Sequence, residues 1–404
     1  MHFLWNVFFV FISLQILGFL IWWRRIGKST RPRLLLISIF LAGNLPWPFL
    51  FFVLSLQNPV SSRFTSTIFR FFTTWQVGLF LWLLLLGIFS LSVIIFFRLP
   101  SLAARGLSTR EIHDKPADPD RRTFMVRAAR GAVWGGVLGS GAWGFARAES
   151  TPKVVRYTIS PAGLPRTLDG LTIAHLSDLH IGLWTSPHVI LRVMTLTREL
   201  RPDLVVITGD IIEHRPSFSE ILVQYLYILD KVPLGIYATI GNHDIYTGAD
   251  QISKALEAGG ITMLRNRHYS FMHEGLPLAL VGVDDPGRRF LGTGGVLKLG
   301  RAMRGLKPGQ FRILLTHRPT GFEEALGRKI PLTLCGHTHG GQIGIPGLPN
   351  LADLAYDYTH GLYEKKGGFV HVTAGIGTVG LPIRVGVPPE VALLRLSAPS
   401  GKKN

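Results

Sequence analysis

Five short motifs rich in Asp, Asn and His constrain this 404-residue chain more than any other feature of it. They are S-D-L-H with Asp178 and His180, T-G-D with Asp210, G-N-H-D with Asn242, His243 and Asp244, T-H-R-P with His317, and G-H-T-H with His337 and His339. Four of the five follow an apolar run that ends in a turn, as Leu204 to Ile207 precedes Thr208-Gly209-Asp210. Side chains so placed sit on loops at the carboxyl ends of strands, where an open α/β sheet builds its sites.

Those residue types suit a pair of metal ions. Two divalent ions about 3.5 to 4 Å apart hold a phosphate ester, acidify a bridging water and stabilise both oxygens of an in-line displacement. Such a pair needs a shared carboxylate, and Asp210, alone in its motif, suits that place. Asp178 and His180 stand two apart on an extended segment, so both point to one side and can grip a single ion. A mixture of carboxylate, amide oxygen and imidazole favours Mn, Fe or Zn over Mg or Ca, which prefer oxygen shells. In the order found, with gaps of about 30, 30, 75 and 20 residues, chance is a poor explanation of the set.

The motifs resemble those of the calcineurin-like metallophosphoesterases, whose pattern runs D-x-H, G-D, G-N-H-[DE], H, G-H-x-H. The resemblance implies that Asp178, His180, Asp210 and His339 hold one metal, and that Asp210, Asn242, His317 and His337 hold the other, with Asp210 bridging. It also implies that His243 is not a ligand but stabilises phosphoryl oxygens or protonates the leaving alkoxide. Asp244, beside His243, is the expected orienter of that imidazole. The similarity spans roughly residues 151 to 398. The stretches Gly340 to Ile343, Gly361 to Tyr363 and Ile383 to Glu390 resemble a membrane-associated bacterial branch of the family.

His188, His214, His268, His273, His360 and His371 fit no motif and are expected on the surface or satisfied within the core. Arg318, next to a ligand candidate, and Arg384, in a Gly/Pro-rich loop, are candidates to meet a substrate phosphate. Cys335 lies inside an apolar run and reads as a small buried hydrophobe. As the only cysteine it excludes an intramolecular disulfide.

The N-terminal third has a different character. Leu4 to Trp23, Leu34 to Leu56 and Phe71 to Phe97 carry no acid or base, and each reaches the roughly 20 residues a membrane-spanning helix needs. A fourth, glycine-rich run covers Gly131 to Ala146. Residues 1 to 150 therefore read as a transmembrane region with spans at about 4–23, 34–56, 71–97 and, fourth, 131–146. Residues 151 to 404 read as the catalytic domain. Arg24, Arg25, Lys28, Arg31 and Arg33 mark the first connecting loop as cytoplasmic, whereas only Arg63 and Arg70 lie between the second and third runs. If the fourth run crosses, the catalytic domain lies on the extracytoplasmic side of the cell membrane, the side expected here; if it lies in the interface, the domain faces the cytosol. Arg121-Arg122-Thr123-Phe124-Met125 resembles a twin-arginine export signal, although an internal one.

The positive excess also sits mainly in this third, with 16 basic and 5 acidic groups against 27 and 20 in the remainder. It reads as membrane topology, with lipid headgroups rather than nucleic acid as the partner. The oligomeric state is not legible. In the catalytic part, apolar β-branched runs alternate with helical patterns up to Ala258, and further runs follow at 278–283, 311–315, 332–335, 369–373 and 391–396. That is an α/β fold of two packed sheets flanked by helices. The expected function is hydrolysis of a phosphate mono- or diester of a lipid or cell-envelope component. A silent membrane sensor or scaffold and a phosphoprotein phosphatase are the alternatives.

Overall fold

The computed structural model describes residues 150–398, less 183, 272–276, 287–296, 345–348, 351 and 381, together with helix α1 (Thr30–Asn44) and scattered positions within 12–24 and 124–131. The chain divides into two compact units, and the motifs all fall in the C-terminal one. Among the described residues no helix is long and apolar enough to cross a membrane. The spans expected at 4–23, 71–97 and 131–146 lie outside the described residues except for isolated positions, and α1 covers only the first part of the 34–56 run. Its C-terminal Asn44 amide donates to the Phe40 carbonyl at 2.8 Å and to Gln15 Oε1 at 2.7 Å.

The C-terminal unit holds two six-stranded mixed sheets. The first contains β1 (Lys153–Ile159), β2 (Thr172–Leu176), β3 (Leu204–Thr208), β4 (Ile236–Thr239), β5 (Thr262–Met263) and β12 (Glu390–Leu396), in the order β1-β12-β2-β3-β4-β5. The second contains β6 (Arg267–Ser270), β7 (Leu278–Gly282), β8 (Phe311–Leu315), β9 (Leu332–Cys335), β10 (Gly361–Lys365) and β11 (Gly368–Val372), in the order β10-β11-β9-β8-β7-β6. Each contains a block of four parallel strands: β2 to β5 in one, β7, β8, β9 and β11 in the other.

Alternation along the strands explains why these runs are apolar throughout. Ile173, Leu204 and Val206 of the first sheet meet Leu280, Ile313, Leu315 and Leu334 of the second in one core. The intervening Val281 and Leu314 point the other way and pack with Leu299 and Ala325, which belong to α6 (Leu299–Ala302) and α7 (Gly321–Gly327). A parallel strand covered on both faces has no solvent side, so nearly every position is hydrophobic. The first sheet is flanked by α2 (Pro187–Glu199), whose Val189, Ile190, Val193 and Met194 recur at helical spacing and are buried, and by α5 (Ala249–Ala258) beside β5, with α3 (Ser219–Leu226) packed on both helices. β1 and the short strands β5, β6 and β10 are not legible in the sequence because charged and polar residues leave them no sustained apolar pattern. His371, expected on the surface or in the core, is in the core, where its Nδ1 lies 2.8 Å from His175 Nδ1 across the two sheets.

Candidate active site

All five motifs follow strands whose carboxyl ends share one edge. Asp178 and His180 follow β2, Asp210 follows β3, His317 follows β8, and His337 and His339 follow β9. After β4 the chain enters a helix at once, so Asn242, His243 and Asp244 form the first turn of α4 (Asn242–Thr247). Backbone bonds zip the loops together: Asp178 N–H donates to Gly209 O at 3.1 Å, His180 N–H to Asp210 O at 3.0 Å and Gly336 N–H to His317 O at 2.9 Å. Bonds between the sheets lock the two halves. The His337 N–H donates to the Asp178 carboxylate at 3.0 Å, and His317 Nδ1 meets Thr208 O at 2.8 Å.

Crowding at these turns shows in the backbone. Asp178, His180, Asp210, His337 and His339 all have positive φ, between 42° and 73°. A residue with a Cβ pays for that conformation, and such strain collects where geometry serves function. The neighbouring glycines are equally constrained. A Cβ on Gly241 would collide with Asp210, and one on Gly336 with Asp178 and Ser177. The glycine that opens G-N-H-D and the one that opens G-H-T-H are thus required by the carboxylates of two other motifs.

The side chains form two clusters. Asp178, His180 and His339 make one, with His180 Nε2 3.1 Å from His339 Nε2, and His339 Nε2 3.4 Å from Asp178 Oδ1. Asp210, His317 and His337 make the other, with His317 Nε2 3.1 Å from Asp210 Oδ2 and 3.0 Å from His337 Nδ1. Asp210 Oδ2 also lies 3.7 Å from His180 Nε2, so one carboxylate oxygen faces both clusters. Asn242 is buried with neither amide oxygen nor amide nitrogen hydrogen-bonded. A buried amide without a partner is costly, and a cation is the partner that an oxygen in this position fits. Imidazole nitrogens face to face at about 3 Å likewise fit a shared cation better than one another. The donor set therefore suits divalent metal ions in two neighbouring places.

Electrostatics agree with this arrangement. Burial pushes the Asp178 carboxyl up. Burial opposes ionisation of Asp210 too, but His317 and His243 outweigh it and hold Asp210 well below the usual carboxylate range. Burial, His180 and Arg384 keep His339 from protonating, as burial, His317 and Arg318 do for His337.

Three sequence expectations change. Asp244 does not face His243. Its carboxylate accepts the N–H groups of Gly241, Ile211 and Ile212 at 2.9, 2.9 and 2.8 Å, tying the loops after β3 and β4 together. Burial and Asp210 raise it to about 7. The carboxylate at His243 is Glu213, whose Oε2 lies 2.8 Å from His243 Nδ1 and 2.7 Å from His180 Nδ1. Burial works against charge on His243, yet Asp210 and Glu213 raise it to about 9. Glu213 carried no motif of its own, and its one sequence signal is its place three residues after Asp210 in the same turn.

Arg318 and Arg384 are both buried rather than extended into a cleft. Arg318 Nε donates to Asp285 Oδ2 at 2.6 Å. Arg384 donates to the carbonyls of Gly377 and Ala374 and stands 3.2 Å from His339 Nδ1. Each guanidinium buttresses a ligand loop. Cys335 is buried, as expected of a small hydrophobe, and burial raises its thiol.

With two half-sites, a carboxylate facing both, and an imidazole poised over an acidic partner, the unit has the construction of a dinuclear phosphoesterase. Its sequence matches the calcineurin-like phosphoesterase family over residues 171–341. It is 30% identical over 253 residues to an uncharacterized metallophosphoesterase of Aquifex aeolicus, covering 62% of this chain and 93% of that one. The chain belongs to the calcineurin-like metallophosphoesterases, metal-dependent hydrolases of phosphoric esters. It is also similar to the Bacillus subtilis metallophosphoesterase YkuE, with 29% identity over 69% of this chain and 98% of that one. A Danio rerio protein named as a transmembrane protein with a metallophosphoesterase domain is 35% identical over 62% of this chain, which spans 58% of that relative's length.

Proposed function

We propose that this chain is a membrane-anchored phosphoesterase that hydrolyses a phosphate mono- or diester of a lipid or cell-envelope component with two divalent ions, drawn from Mn, Fe or Zn. The observation that carries the reading is Asp210 Oδ2, which faces His180 at 3.7 Å and His317 at 3.1 Å and so stands between two complete half-sites. Asp178, His180, Asp210 and His339 would hold one ion, and Asp210, Asn242, His317 and His337 the other. When bound, such a pair supplies Lewis acidity toward the phosphoryl oxygens and acidifies water. His243 is held over the cluster by Glu213 and carries the proton for the leaving alkoxide. Asp244, Arg318 and Arg384 keep the loops in register.

Location supports a lipidic or envelope substrate. The uncharged runs of the N-terminal third suit a bilayer, and the name of the zebrafish relative agrees with an anchored domain. Exposed apolar side chains adjoin the ligand loops: Tyr246 in α4 beside His243, Ile343 just after His339, and Leu354 two residues before Tyr356, whose hydroxyl meets His337. The basic loops favour an extracytoplasmic domain, and complete protection of residues 151–404 from protease in intact spheroplasts would refute that side. The silent sensor or scaffold is disfavoured because every ligand position keeps its residue.

The test uses full-length protein in detergent with a generic aryl phosphodiester. Asp210→Ala and His243→Ala should each lose most of the wild-type turnover, and retention of wild-type rates by either variant would refute the reading. Mass spectrometry of products from a detergent-dispersed lipid extract then identifies the substrate class.

A further inference from the structure

We infer that Tyr356 is the positioning residue that selects which nitrogen of His337 faces the ion site. This rests on the dinuclear reading above and adds a residue and a loop to it. His180, His317 and His339 turn Nε2 toward the carboxylates of the cluster, whereas His337 turns Nδ1 inward, 3.0 Å from His317 Nε2. Something must hold the His337 ring in the opposite sense. Its outer nitrogen, Nε2, lies 2.8 Å from the Tyr356 hydroxyl, and the two rings meet edge to face with centroids 5.5 Å apart.

The logic is that of paired ring nitrogens. A neutral imidazole that offers one nitrogen to a cation carries its proton on the other, and an acceptor for that proton fixes both tautomer and orientation. His180 has such an acceptor in Glu213 Oε2 at 2.7 Å, and His317 in Thr208 O at 2.8 Å. Tyr356 Oη supplies it for His337. The phenol is itself placed by Arg318, whose Nη1 stands 3.5 Å from Oη and whose Nε is fixed by Asp285 at 2.6 Å.

The segment that carries Tyr356 is clamped to the ligand loop. Thr338 Oγ1, between His337 and His339, donates to Thr359 O at 2.5 Å. Thr359 Oγ1 donates to Asp353 at 2.8 Å, the Asn350 N–H donates to Asp353 Oδ2 at 2.7 Å, and the Tyr356 N–H donates to Ala352 O at 2.9 Å. Residues 352–359, with Asn350, thus act as a brace that presents the Tyr356 hydroxyl to His337.

The experiment is divalent-ion binding to the full-length protein in detergent, by Mn titration in competition with a chelator and by metal analysis after dialysis. Wild type takes up two equivalents. Tyr356→Phe keeps the ring and its packing but removes the acceptor. One equivalent should therefore weaken about 10- to 100-fold, the usual effect of losing an outer hydrogen-bond partner, while the other is unchanged. His337→Ala should weaken the same equivalent, and adding Tyr356→Phe to it should weaken it no further. Thermal unfolding in EDTA reads folding separately, and Tyr356→Phe should melt with wild type there. A Tyr356→Phe protein that binds both equivalents within threefold of wild type overturns the assignment, as does equal weakening of both. Wild type that binds no divalent ion overturns the dinuclear reading, and the role of Tyr356 falls with it.

Discussion

Glu213→Gln tests the coupling between the ion site and the proton donor. One carboxylate oxygen, Oε2, meets both His180 Nδ1 at 2.7 Å and His243 Nδ1 at 2.8 Å. A glutamine carbonyl can occupy the same place, so the variant removes charge while keeping shape. A hydrogen bond to an ionised partner is worth about 1.5 to 3 kcal/mol and a neutral one about 1. Two such bonds lose roughly 2 kcal/mol together, which at about 1.4 kcal/mol per decade is about a 30-fold loss of kcat/KM. The pH profile should also move. His243 must be protonated to donate, and Glu213 helps raise it to about 9. Without that charge its pKa falls, so activity declines at lower pH than in wild type. The assay is kcat/KM for an aryl phosphodiester across pH at saturating Mn, with bound metal counted in each sample. Wild-type rates within threefold at full metal occupancy, or an unmoved basic limb, would refute the coupling.

Asp244→Ala should behave as a stability variant: three buried N–H donors lose their acceptor at about 1 kcal/mol or more each, so thermal unfolding should drop by several kcal/mol. A wild-type melting curve would show that these bonds are dispensable. Gly336→Ala forces its Cβ into Asp178 and Ser177, and a displacement near 1 Å should cost about 100-fold in turnover; a fully active variant would contradict the packing described. Glu390 accepts from Thr373 Oγ1 at 2.8 Å and pairs with His360 Nε2 at 2.9 Å. Burial opposes its charge, but His360 outweighs that and lowers the carboxyl below 4.5, so its contribution is lost as pH falls through the lower folded value. Glu390 raises His360 above 6.5, so that contribution is lost as pH rises through the higher folded value. The melting deficit of Glu390→Gln should therefore be largest between pH 4.5 and 6.5 and narrow on both sides, and a pH-independent deficit would rule this out.

Much of the site was written along the chain because each ligand motif follows its own strand, and a strand end is a local property. Four of the five motifs carry a turn after an apolar run, so the convergence of their ligand candidates at the carboxyl ends of the strands follows from parallel stacking. Asp244 was misread for the same reason. Proximity along the chain suggested that it serves His243, but in the first turn of α4 its side chain turns back to the N–H groups of Gly241, Ile211 and Ile212.

What the sequence by itself determined is the residue chemistry of the cluster, its order, the α/β rhythm and the contrast between an N-terminal third with long uncharged runs and basic connecting loops and the remainder that carries the ligand motifs. Only the tertiary structure decided that Glu213 joins His180 to His243, that Tyr356 meets His337, and that Arg318 and Arg384 are spent on Asp285 and on backbone carbonyls. Short-range rules of turns and strand ends act within a few residues and can be read from any stretch. A hydrogen bond takes whatever partner the packed sheets bring to within about 3 Å, and that depends on loop paths no local pattern encodes.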